Sequence, residues 1–246
     1  MLFRSLGSVI MLSRSVYRLF STSATKKVAV ILSGCGVYDG SEIQESVFIL
    51  ESLSRRNAKY QCFAPNIDQM HVINHLTGDP MDEKRNVLIE SARIARSDVK
   101  DLIELKQENF DALVLPGGFG VAKNLSDFGA KGPKMEVLKS VGDILVSFHN
   151  ANKPIGACCI APVLLARMFP GVRLTLGKEE VGPESPFADA CGAAKTMGST
   201  HVPCKPKEVC IDETKIVTTP AYMYTSPIHI VRDGVDSMIE QVLKMA

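Results

Sequence analysis

No stretch of this 246-residue chain approaches the roughly 18 uncharged apolar residues of a membrane-spanning helix, so the sequence offers no candidate span. A dominant charge is missing as well. The 28 basic residues offset 27 acidic ones to a formal net charge of +1, and no basic stripe carries interleaved aromatics, so nothing electrostatic points to nucleic acid. The seven cysteines are odd in number and irregular in spacing, with no C-x2-C pair and no Cys/His quartet. That pattern argues against a disulfide framework and a zinc cluster, and it fits a reducing compartment. Internal repeats and low-complexity linkers are also lacking, so one large domain with a full core is expected.

Acidic residues are absent before Asp39, and this absence marks out residues 1–26. Arg4, Arg14 and Arg18 lie among Ser, Leu, Phe and Met; on a helix Leu2, Leu6, Ile10 and Leu12 favour one side while the arginines interrupt the other. Such an amphipathic cation reads as a mitochondrial presequence. A secretory signal fits less well, because Arg14 and Arg18 break any apolar central region.

From Lys27 onward, short β-rich runs alternate with helical patterns. Strands are expected at Val28 to Leu32, Gln61 to Ala64, Ala112 to Leu115, Ile155 to Ala157, Val209 to Ile211 and Lys215 to Thr219. Helices are expected at Glu42 to Arg55, Asn86 to Ala95, Lys134 to Asn150, Ala161 to Phe169 and Ile228 to Met245, with surface excursions at Val72 to Asp82 and Gly177 to Ala190. Apolar strands separated by helices imply a mainly parallel sheet covered on both faces. In such sheets ligands bind at the carboxyl ends of the strands, so the loops that follow strands carry the function.

Three of these loops stand out: Ser33-Gly-Cys-Gly-Val-Tyr-Asp-Gly-Ser-Glu42, Pro116-Gly-Gly-Phe-Gly-Val-Ala-Lys-Asn124 and the turn at Cys158-Cys159. A cysteine on a tight turn opening a helix is a candidate nucleophile, since the helix N-terminus favours its thiolate. The alternative is a pair of small hydrophobes at a strand end. The Pro116-Gly117-Gly118 turn allows close backbone approach, and its amides, with that of Ile160, are placed to face an oxyanion. Neither glycine loop completes G-x-G-x-x-G or a P-loop, so nucleotide binding is not indicated. Glu42 and Glu45 both fall in the first turns of a helix, where capping competes with acid/base work, and spacing does not choose between them. None of His71, His75, His149, His201 and His229 is placed as an obvious base for the thiol.

Four motifs, in order, carry a resemblance: Leu32 to Glu42, Pro116 to Leu125, Cys159-Ile-Ala-Pro162 and Val217-Thr-Thr-Pro-Ala221. Together they resemble the ElbB family, whose mitochondrial members are the KNP-I proteins, glutamine amidotransferase-like class 1 domain proteins. The wider relatives are the PfpI-type proteins of the class I amidotransferase-like superfamily. The likeness covers residues 27–246 and implies a flavodoxin-like three-layer α/β sandwich with a nucleophile-elbow cysteine. It maps the reactive cysteine onto Cys159, the carboxylate that hydrogen-bonds it onto Glu45, and the oxyanion-hole amides onto Gly118 and Ile160. Two departures matter. The late His-x-Glu of glutaminases is absent, and Ile160 stands where PfpI-type proteases carry His, so neither glutamine hydrolysis nor proteolysis is expected. What remains resembles relatives that convert glyoxal and methylglyoxal to hydroxy acids through a hemithioacetal, without metal, glutathione or other cofactor. Asn124, Asp39, Lys123 and Tyr38 are then the substrate-binding candidates on the adjoining loops. The competing expectation is a redox sensor or organelle-maintenance protein, in which an exposed, low-pKa Cys159 is oxidised beside a protonated Glu45. Relatives of this fold are often dimers, so a homodimer is expected.

Overall fold

The computed structural model describes residues 25–246, so nearly all of the expected presequence lies outside the described residues. Its centre is a seven-stranded sheet in the order β3-β2-β1-β4-β5-β9-β8. These strands are β1 (Lys27–Ile31), β2 (Lys59–Ala64), β3 (Val99–Asp101), β4 (Ala112–Leu115), β5 (Ile155–Cys158), β8 (Cys210–Ile211) and β9 (Ile216–Thr219). All neighbours pair in parallel except β8 and β9. A separate two-stranded ribbon joins β6 (Arg173–Leu174) to β7 (Thr200–His201).

Burial explains the arrangement. Val28, Ala29, Val30 and all of β4, β5 and β9 are buried, so both sheet faces need covering. The cover comes from α1 (Ile43–Arg55), α2 (Val87–Ile94), α5 (Lys139–Asn150), α6 (Pro162–Met168) and α8 (Ile228–Met245), with the shorter α3 (Phe119–Lys123), α4 (Phe128–Lys131) and α7 (Asp189–Thr196) nearer the strand ends. Helix α1 packs on α8, and α8 packs on β5 and β9. The chain runs from β1 outward through β2 to β3 and then returns to β4 on the other side, so strand order reverses beside β1. That reversal opens a crevice at the carboxyl ends of β1 and β4.

The sequence pattern is corrected in two places. The helix expected from Lys134 begins at Lys139, because Met135 is drawn into the core, Val137 bridges to Ser126, and the Leu138 amide bonds Leu125 O at 2.9 Å. The excursion expected over Gly177 to Ala190 runs into α7, whose buried face is the small set Ala190, Cys191 and Ala194. Side chains that small leave little apolar periodicity to read. Strand β3 and the ribbon are too short to have announced themselves.

Candidate active site

Strand β5 delivers Cys158 and then Cys159, whose backbone turns to φ +57° before α6 begins at Pro162. The Cys159 amide bonds Thr219 O at 3.1 Å, which extends the β5–β9 pairing by one residue and fixes the turn. A left-handed φ at a residue other than Gly is costly and is kept only where the surroundings impose it. Cys159 is 8% exposed, and Gly118 and Ile160 stand beside it in the lining of one cavity.

Glu45 comes from the opposite side, in the first turn of α1, and is wholly buried. Its Oε2 accepts from the Gly117 amide at 2.9 Å and lies 3.6 Å from the Cys158 thiol, while Oε1 accepts from the Tyr222 amide at 3.2 Å. Glu45 Oε2 and Cys159 Sγ both crowd the same face of Gly117. Burial, then the nearby Glu42 charge, pushes the Glu45 carboxyl up to about 8 against the pull of these donors. Burial and the Glu45 carboxylate likewise push Cys159 up, while the Gly118 and Ile160 amides pull it down. Thiolate and carboxylate oppose each other's charge, so both groups hold their protons at neutral pH and Glu45, at about 8, ionises before Cys159.

Glycine is required at the contact. A Cβ on Gly117 would sit 2.4 Å from the Cys159 Cβ and 2.7 Å from Glu45 Oε2. Gly118, at φ +97°, would press a Cβ to 2.4 Å from the Glu42 amide nitrogen.

Cys159 and Ile160 line a cavity of about 740 Å³ walled by the loops after β1 and β4, the segment preceding α7, and the chain after β9. Among the described residues no histidine lines it. His75 accepts from the Tyr38 amide at 3.2 Å, His149 stacks on Phe169, and His201 bonds Glu179 and the Leu176 amide.

The DJ-1/PfpI family model matches residues 37–177, which include the Pro116 to Asn124 loop and the cysteine turn. The chain belongs to the DJ-1/PfpI family. It is 47% identical to the human mitochondrial glutamine amidotransferase-like class 1 domain-containing protein 3, over 94% of this chain and 88% of that one. It is 48% identical to the rat mitochondrial ES1 protein homolog, over 89% of this chain and 84% of that one. Among solved structures, an isoprenoid biosynthesis protein with an amidotransferase-like domain from Ehrlichia chaffeensis superposes with a TM-score of 0.82 at 36% identity, covering 90% and 99% of the two chains. Like its named mitochondrial relatives, this DJ-1/PfpI protein is mitochondrial.

Within this family member, Cys159, Glu45, Gly118 and Ile160 meet at one point, and Glu42 is spent otherwise: its Oε2 caps α1 by accepting the Glu45 amide. Asn124 and Asp39 do not reach the cavity. Asn124 Nδ2 donates to Ser33 O and Asp39 O at 2.9 and 2.8 Å, and its Oδ1 accepts the Met70 amide at 3.0 Å. Asp39 Oδ2 accepts the Ile73 amide at 2.7 Å, tying the Val72 to Asp82 excursion to the loop after β1. Both are consumed in holding loops together. Tyr38 does line the cavity; Lys123 donates to Tyr38 O at 2.8 Å and stands over the Phe119 ring. The exposed, low-pKa thiol expected from the helix N-terminus is corrected to a buried one with a raised pKa, because desolvation outweighs the amide donors. The sequence reading missed the Tyr222 amide, although the Val217 to Ala221 motif at the end of β9 marked that sheet edge. It also missed Phe119 and Phe187 as cavity walls.

Proposed function

We propose that this protein is a cofactor-independent glyoxalase-like enzyme in which Cys159 is the nucleophile of an elbow and Glu45 the proton shuttle. The observation that carries the reading is a buried Glu45 carboxyl beside a Cys159 thiol that lines a cavity together with Gly118 and Ile160. Cys159 Sγ adds to the aldehyde carbon of a 2-oxoaldehyde while Glu45 is in its carboxylate form, and the thiol proton goes to the new hydroxyl oxygen. The Gly118 and Ile160 amides stabilise the oxyanion as it forms. Glu45 then takes the hydrogen of that carbon as a proton and returns it to the neighbouring carbonyl carbon, while the hydroxyl proton passes to the carbonyl oxygen. One carbon is oxidised, its neighbour is reduced, and a thioester results. Water cleaves the C–S bond, releasing the 2-hydroxy acid and restoring the thiol.

The decisive experiment is lactate formation from methylglyoxal. Cys159→Ala and Glu45→Gln are each expected to lower kcat/KM at least about 100-fold, the usual worth of a nucleophile or a general acid/base group. Equal turnover in all three proteins overturns the reading.

A further inference from the structure

We infer, resting on that reading of Cys159, that the substrate class is a neutral 2-oxoaldehyde carrying an aryl or long alkyl group. Three observations carry this. First, a cavity of about 740 Å³ lies in the range of about 300–1,000 Å³ that encloses drug-sized ligands, far beyond what a three-carbon dicarbonyl fills. Second, its wall is a built aromatic surface: Tyr38 from the loop after β1 sits 6.4 Å from Phe119, and Phe119 from the loop after β4 meets Phe187 edge-on at 5.7 Å. Three separate segments thus converge on one apolar face, which Phe128, Ile160 and Met223 extend. Third, among the described residues Glu42 and Asp189 line the cavity and no Lys, Arg or His does, Lys123 beside Phe119 being engaged by Tyr38 O at 2.8 Å. A phosphate or carboxylate on the substrate tail would be repelled by these acidic side chains.

The reactive end follows the balanced route already given, with water as the sole co-reactant; the aryl or alkyl group lies along Phe119 and Phe187. An apolar pocket gains about 10–200-fold in discrimination per well-packed group, so the preference is large enough to measure.

The test compares kcat/KM for methylglyoxal, phenylglyoxal and hexylglyoxal in the full chain, in Phe187→Ala and in Phe119→Ala. Phe187 is 43% exposed, so its truncation leaves the core intact. Phenylglyoxal and hexylglyoxal are expected to exceed methylglyoxal by at least about tenfold. Each Phe variant should lose about tenfold on the large substrates and less than about twofold on methylglyoxal. In parallel, the neutral ketone acetophenone should slow alkylation of Cys159 by iodoacetamide, while the anion benzoylformate should not. Large substrates no better than methylglyoxal, with turnover of all three lost in Cys159→Ala, would overturn the inference and leave the catalytic reading standing. If no substrate is turned over, the catalytic reading falls. The protection assay then decides the aryl site: acetophenone protection that Phe187→Ala abolishes upholds it, and no protection overturns it.

Discussion

Glu45 holds a proton across much of the neutral range because burial disfavours its charge, and that preference makes the stability of the fold depend on pH. Its carboxyl lies at about 8 in the folded chain against an ordinary value of 4.5. The folded state therefore binds more protons than the unfolded chain between those values, and stability falls as pH rises from about 4.5 to about 8. The loss is on the order of 5 kcal/mol for a group this deeply buried. Urea unfolding of the wild type and Glu45→Gln across that window is expected to show the decline in the wild type, with a much flatter profile in the glutamine variant. Parallel profiles would mean that Glu45 ionises as freely as in the unfolded chain.

Among the elements, the contact between α1 and α8 brings together residues 180 positions apart, through Arg56 and Asp236 at 2.6 and 2.9 Å with Ser52 Oγ on the same carboxylate. The contact steadies α1, and α1 carries Glu45. The Arg56 guanidinium holds the Asp236 carboxyl down to about 2 from an ordinary 3.8. A lowered carboxyl contributes stability that is present above about pH 4 and lost as pH falls through about 2, here on the order of 2 kcal/mol. Arg56→Ala is expected to cost about 1–3 kcal/mol at neutral pH and to remove most of that acid-range dependence, read by denaturation between pH 2 and 5. The helical pattern of both elements is legible in the chain. The clamp between them is not, because Arg56 and Asp236 read as ordinary exposed-face charges until the fold opposes them.

For the whole molecule, the described residues hold no helix long and apolar enough to cross a membrane. We propose that residues 1–26 are the presequence of this mitochondrial protein and residues 27–246 its folded domain. Residues 1–26 fused to a fluorescent reporter are expected to direct it to mitochondria, and Arg4, Arg14 and Arg18→Ala together to release it; a cytosolic reporter in both cases would refute the assignment. The sequence by itself determined the parallel α/β class, because buried runs such as Val28 to Leu32 alternating with amphipathic helices admit few other packings. It also marked the strand-end loops at Ser33, Pro116 and Cys158, since Gly and a paired Cys at a strand exit are local signals. Only the tertiary structure decided that the thiol is buried with a raised pKa, that Asn124 and Asp39 are tied up in loop contacts, and that Phe119 and Phe187 share a wall. Desolvation, hydrogen-bond saturation and cavity shape depend on which distant segments meet at one sheet edge, and no local pattern in the chain encodes that meeting.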